Sequence, residues 1–260
     1  MNVYIYQNST EKILKNAYIG EYIPNFATKW PCPDWFHVPL TTEWATLIST
    51  MWSLSSNNYS WYNTKLHMPL WWARTKDYWT VSNQWSVWYY WSNTPRNDFP
   101  YVYYRYLSSS YTMPDWADYT NVWFSIRPFK NEFVEPDSTW TAIQWTVWGN
   151  GIFWNQTDWL ISIIYSTNKI TISDKNCWAT TVYNSWNTLS EANCGKYYQW
   201  GNNYWFPYSW SVTTSSTRVN ASTYWPWNYY ESSTFITWTS GWDSSANQNL
   251  WWYVTWNVPV

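Results

Sequence analysis

The clearest helical spacing in the chain lies just after Pro39. Trp44, Leu47, Ile48 and Met51 fall at i, i+3, i+4 and i+7, a single apolar stripe along one helix face. Thr41 can serve as its N-cap, and Glu43 suits the positive end of the helix dipole. The polar tail from Ser53 to Ser60 reads as a turn. Further on, the period shortens to two. Tyr101 to Leu107 is rich in aromatic and β-branched residues, and Val122, Phe124 and Ile126 alternate with Trp123, Ser125 and Arg127, the pattern of a half-buried strand. Leu160 to Tyr165 and Lys169 to Ile172 predict two strands joined by Ser166, Thr167 and Asn168. Thr188 and Glu191 have capping-box spacing for a short helix that Gly195 would end.

Between these periodic pieces the chain is irregular. Asn57 to Arg96 is a long stretch rich in Asn, Ser and Tyr, the kind of loop that usually carries function. Charge and a proline concentrate in Asn131–Ser138, which places a boundary there. Residues 1–29 hold weak strand-like pieces, 30–135 form one unit, and 138–260 form a β-rich second unit whose end, from 196 on, is mostly loops and short strands. No internal repeat relates the halves. The expectation is an α+β protein.

Composition changes this picture sharply. The 260 residues include 30 Trp and 25 Tyr but only 6 Gly, far below the usual glycine share of about 7 %. Many tryptophans stand in turn contexts: Trp35, Trp116 and Trp159 each follow Asp, while Trp61, Trp186 and Trp210 each follow Ser. Asp-Gly and Ser-Gly are turn dipeptides because glycine reaches φ > 0 without a Cβ clash. Trp71-Trp72 and the run from Tyr224 to Asn228, which contains Trp225 and Trp227, read the same way. The expectation is that most such positions are glycine codons rendered as tryptophan, since some uncultured bacteria with an alternative genetic code read UGA as glycine. Trp44, Trp91, Trp200, Trp242 and Trp251 fit their surroundings as true tryptophans.

Charge excludes more than it suggests. With 14 basic and 16 acidic residues, the chain has no polybasic footprint for nucleic acid or anionic lipid. The longest apolar run, Trp159 to Tyr165, is far shorter than the ~20 residues of a spanning helix. No basic-then-apolar leader opens the sequence, so the chain is expected either to stay inside the cell or to be a fragment of a longer exported protein. Of the three cysteines, Cys177 and Cys194 could close a short loop in an oxidising compartment, and otherwise all three are unpaired or structural.

With glycine read at the suspect tryptophans, an ordered set of motifs emerges. Cys32, Pro33, His37, Val38 and Pro39 open it, Glu43 and Trp44 follow on the helix, Tyr90, Trp91 and Ser92 mark a strand, and Phe124, Ser125 and Arg127 close it. This set resembles the Fibrobacter succinogenes major paralogous domain family of bacterial surface-associated domains, over roughly residues 30–130. The resemblance implies a C-type-lectin-like unit, with the 41–51 helix packed on a twisted antiparallel sheet. It also implies a secreted or cell-surface location. Where the family pattern closes on a cysteine this chain has Pro128, so Cys32 lacks the partner the pattern offers. Residues 138–255 look like the segment that precedes the entry motif in longer members.

Candidate chemistry is sparse. His37 and His67 lie among apolar and proline neighbours, where packing and backbone hydrogen bonds are expected. There is no HExxH, phosphate loop, GxSxG or metal-ligand spacing, and neither a cofactor nor a metal is expected. Glu135-Pro136-Asp137 is similar to the triplet by which calcium-dependent lectins hold sugar, but it falls in the expected linker. The alternative of an enzyme of the formylglycine-generating type needs a reactive cysteine arrangement, which would require Cys177 and Cys194 to be low-pKa thiols. A structural repeat of a large envelope protein is the other alternative. The favoured expectation is a non-catalytic binding module for a glycan or a cell-surface protein. Its contacts would come from Arg74, Tyr89, Trp91, Asn93 and Arg96, because Tyr, Asn and Arg on rigid loops combine ring stacking with adaptable polar contact.

Overall fold

The structure is a computed structural model that describes residues 3–7, 10–14, 32–33, 35–54, 59–69, 73–74, 81–82, 87–96, 101–108, 115–119, 122–145, 149–200, 202, 204–206, 212–215 and 232–236. Strands β1 (Val3–Gln7) and β2 (Thr10–Leu14) pair antiparallel. Strand β3 (Phe36–His37) then leads into helix α1 (Thr41–Leu54). The helix starts one position earlier than expected. Leu40 is the capping residue: its carbonyl accepts from Trp44 N–H at 3.0 Å, and its own N–H donates to the Glu43 carboxylate at 2.8 Å. At the far end α1 runs to Leu54, which is buried, so the polar tail begins as helix.

The expected loop from Asn57 to Arg96 is more ordered than its composition suggests. It contains helix α2 (Tyr59–Lys65), the strand pair β4 (Ala73–Arg74) and β5 (Val81–Ser82), and the long strand β6 (Val87–Pro95). With β7 (Tyr101–Ser108) and β8 (Asp115–Tyr119), β6 forms a three-stranded antiparallel sheet. Alternation along β6 sends Tyr90 and Trp91 to opposite sides. Tyr90 enters the core under α1, and Trp91 joins a second core with Val102, Phe124 and Tyr198.

Strands β9 (Phe129–Lys130), β10 (Thr141–Trp145), β11 (Gly151–Asn155), β12 (Leu160–Tyr165) and β13 (Asn168–Ser173) complete the main sheet. Its order is β10-β11-β12-β13-β9-β3, all antiparallel. Here the expected division at Asn131–Ser138 fails. The 30–135 and 138–260 portions share one sheet, so they are not separate units. The physical reason is the register of β12 and β13. Ile161, Ile163 and Ile172 face α1 with Trp44, Leu47 and Met51. On the other face, the Ser162 and Thr171 hydroxyls bond each other at 2.8 Å and hold the backbone of Val134 at 2.7 and 2.9 Å. The charged segment is therefore a crossover laid over the sheet. An apolar helix on one side and a crossover on the other tie both portions to the core under α1.

Residues 122–127 also depart from expectation. They make isolated bridges, Tyr90 with Ser125 and Phe124 with Tyr198, in place of a ladder. Both faces are buried: Val122, Phe124 and Ile126 on one, Trp123, Ser125 and Arg127 on the other. Beyond them, helix α3 (Glu191–Cys194) begins after Ser190 rather than Thr188, and the Asn193 side chain reaches back to accept from Ser190 N–H at 3.0 Å. Gly195 ends it at φ 79°, as expected. Strands β14 (Thr214–Ser215) and β15 (Phe235–Ile236) make a small parallel pair. The result is a sheet-rich α+β arrangement of mostly antiparallel open sheets.

The tryptophans separate into two groups. Trp44, Trp91 and Trp200 are buried, and their indole N–H groups donate to the carbonyls of Trp91, Tyr198 and Ser92. Trp35, Trp159 and Trp178 are 68 %, 55 % and 63 % exposed, with φ of 69°, 60° and 61°. A bulky residue in that region is a conformational outlier, where glycine would be at ease. Trp116 and Trp186 are exposed too, but without positive φ. One position read as a glycine site behaves otherwise: Trp61 is half-buried on α2. Trp123, from the expected strand, is buried against Phe206 and Phe235, with ring centroids at 5.0 and 4.7 Å. Trp210, Trp225, Trp227, Trp242 and Trp251 lie outside the described residues.

Candidate functional site

The residues expected to contact a ligand divide by burial. Trp91 and Asn93 are wholly buried, which removes them as surface contacts. The reason is that β6 is stitched on both sides: Trp91 N–H donates to Ser125 O at 3.1 Å and Asn93 N–H to Pro39 O at 2.8 Å. Tyr89 and Arg96 stay half-buried. Tyr89 stacks on Phe124 with centroids 5.1 Å apart and 12° between planes. Across the strand it meets its register partner Tyr106 edge-on at 5.4 Å, and Tyr106 lies 6.4 Å from Trp116 on β8. At the hairpin end the Arg96 guanidinium sits 5.1 Å over the Tyr101 ring, and Arg96 N–H donates to Tyr101 O at 2.9 Å. Arg74 lies on β4, and its side chain is outside the described residues. The structure thus brings together a partly exposed aromatic row, Tyr89, Tyr106 and Trp116, on one three-stranded sheet. Tyr106 and Tyr101 were missed in sequence because only the β6–β7 register reveals their neighbours.

A second cluster is buried and polar. Arg127 donates through Nη1 to Ser173 O at 2.9 Å and through Nη2 to His67 O at 2.8 Å. Asp174 accepts the Trp154 indole N–H at 2.8 Å. Burial raises the Asp174 carboxyl, opposed by the Trp154 hydrogen bond and by the charges of Arg127 and Lys175. Burial likewise raises the Tyr90 hydroxyl, which the nearby Arg127 charge holds down. His67 donates from Nδ1 to Tyr183 O at 2.9 Å. Burial, helped by the Arg127 charge, lowers its pKa to about 4, so the ring stays neutral. Its Nε2 has no hydrogen-bond partner among the described residues. Arg127 therefore joins β6, the His67 turn and the end of β13, a structural task that the motif alone did not reveal.

His37 makes a different contact from the one expected. It bonds side chains, with Nε2 2.8 Å from both Glu43 carboxylate oxygens and Nδ1 2.8 Å from Asn131 Oδ1. Burial alone would lower its pKa, but the Glu43 carboxylate and these hydrogen bonds outweigh it and raise the pKa above its ordinary 6.5. The Glu135-Pro136-Asp137 triplet is a tied crossover. Glu135 pairs with Lys169 at 2.9 Å, and Asp137 takes the Thr139 hydroxyl and N–H at 2.6 and 2.8 Å.

All three cysteines are free and buried, and the two that meet are not the pair that spacing offered. Cys177 Sγ lies 3.7 Å from Cys32 Sγ, both buried among Val38, Trp91 and Phe124. Cys194 packs in another core with Trp123 and Phe206, where burial raises its thiol pKa, the opposite of an activated nucleophile. Among the described residues, no group of three or more His, Cys, Asp and Glu is placed to hold a metal ion, and no helix is long and apolar enough to cross a membrane. No family model, curated protein or solved structure matches the chain.

Proposed function

We propose that the chain is a non-catalytic binding module, secreted or displayed at the cell surface, that recognises a glycan or a protein ligand on the β6–β7–β8 sheet. The observation that carries this reading is the cross-strand pair of Tyr89 and Tyr106, backed by Phe124 and left partly open to solvent. Rings held flat by a buried neighbour lose little entropy when a sugar face or an apolar side chain stacks on them. Arg96 over Tyr101 adds charge and hydrogen-bond donors at the hairpin end. The same reading takes the ordered motifs from Cys32 to Arg127 as a C-type-lectin-like unit of the Fibrobacter succinogenes major paralogous domain family. It also takes Trp35, Trp159 and Trp178 as glycine positions. The helix-on-sheet packing and the three positive φ values support these readings.

A structural role in an envelope protein is the second reading, favoured by the burial of Trp91 and Asn93. A glycan array probed with the full chain separates the two. Hits that weaken at least tenfold in Tyr106→Ser and Arg96→Ala support binding on this sheet. Silence across the array, with no binding to extracted cell-surface proteins, favours the structural role.

A further inference from the structure

The two sulfurs that meet in the core come from either end of the stretch of chain that builds the main sheet. Cys32 precedes β3, and Cys177 follows β13, 145 residues later, yet their Sγ atoms are 3.7 Å apart. Backbone hydrogen bonds hold the Cys177 segment in place: its N–H donates to Ile126 O at 2.9 Å, and its carbonyl accepts from Lys196 N–H at 3.1 Å. Both side chains are buried in the core that contains Trp91, Phe124 and Tyr198. Cys194 is excluded from this meeting. Its Sγ faces Asn193 Oδ1 at 3.1 Å in a different core.

We propose that Cys32 and Cys177 are a disulfide site, closed during folding by a thiol–disulfide oxidant, while Cys194 remains a thiol. The Cys32 thiolate attacks an oxidant such as glutathione disulfide, forming a mixed disulfide and releasing one glutathione. The Cys177 thiolate then displaces the second glutathione. The two thiol protons end on the two departing glutathione thiolates, and the two electrons reside in the two reduced glutathiones. The loop that the bridge closes contains every strand of the main sheet, from β3 to β13. Burial raises the Cys32 thiol, with the Cys177 sulfur adding to the effect, so few thiolates form once the core has closed. Oxidation therefore belongs to the folding reaction, and the folded dithiol reacts slowly.

The test refolds the full chain in a glutathione redox pair, blocks residual thiols with an alkylating agent under denaturing conditions, and maps peptides without reduction. The expected product is one linked pair of peptides containing Cys32 and Cys177, with Cys194 alkylated. Because peptide mapping reads covalent connectivity, it does not depend on how stable each form is. Closing so long a loop is expected to raise Tm by on the order of 10 °C over the reduced protein. That difference should vanish in Cys32→Ser and in Cys177→Ser and persist in Cys194→Ser. A Cys177–Cys194 link, or three alkylated thiols after refolding, would overturn the proposal.

Discussion

Replacing Trp35 with glycine should stabilise the protein, although it removes the largest side chain from the turn before β3. Trp35 sits at φ 69° with its ring mostly in solvent, and the turn is closed by backbone bonds, Phe36 N–H to Pro33 O at 3.1 Å and Asn131 N–H to Trp35 O at 3.0 Å. Neither bond needs a side chain. A residue with a Cβ pays roughly 1–2 kcal/mol for the left-handed region. Glycine returns roughly 0.5–1 kcal/mol of that through the greater freedom of its unfolded chain. The net gain is about 0.5–1 kcal/mol, or about 1–4 °C in Tm for a chain of this size. Trp35→Ala separates backbone from ring, because it removes the indole but keeps the Cβ, and it should gain nothing from strain relief. Urea unfolding of the three proteins, with the slope m unchanged, gives the comparison. If Trp35→Gly is no more stable than both the parent and Trp35→Ala, the strain argument is wrong. Trp159 and Trp178 share the backbone angle but have offsetting contacts. Lys175 Nζ lies 3.3 Å from the Trp159 ring centroid, and Trp178 is close enough to the Tyr198 hydroxyl to oppose the rise that burial gives its pKa. Their glycine variants should be closer to neutral.

Further outcomes follow from the same geometry. The coding DNA should carry UGA at Trp35, Trp159 and Trp178 and UGG at Trp44, Trp91 and Trp200, whereas UGG throughout would make all of them true tryptophans. The two histidines should tilt the pH profile in opposite senses. His37, raised above 6.5, contributes stability that is present below that pH and lost as pH rises through its folded value, and Glu43→Gln should flatten this limb. His67, lowered to about 4, contributes stability that is lost as pH falls from about 6.5 toward 4, and His67→Asn should remove this limb in urea titrations across that range. Arg127→Ala should leave the buried carbonyls of Ser173 and His67 without their donors and cost about 2–6 kcal/mol in unfolding free energy, and a loss under 1 kcal/mol would show that these bonds contribute little. Asp174→Asn, which can keep the bond from Trp154, should cost less.

The sequence by itself was enough for features set within a few residues. The stripe of Trp44, Leu47 and Met51 specified α1, because side chains three and four apart share a helix face whatever surrounds them. The two runs Leu160 to Tyr165 and Lys169 to Ile172, broken by the polar Ser166, Thr167 and Asn168, specified the hairpin, and Ser166 takes φ 56° in its turn. Asp-Trp at 35 and 159 marked places where the backbone needs glycine-like freedom, since φ at a turn is a local requirement. Tertiary structure alone decided which faces are covered. Period two says that Trp91 and Tyr90 point to opposite sides, but not that both sides are core, which depends on α1 and on Tyr198 far along the chain. The same dependence buried Asn93, turned the charged 131–138 segment from a boundary into a crossover, and filled the side of Trp123 with Phe206 and Phe235. It also set Cys32 beside Cys177 instead of leaving Cys177 to its near neighbour Cys194. Spacing measures separation along the chain, while burial and sulfur contact depend on separation in space, and only strand order in the shared sheet connects the two.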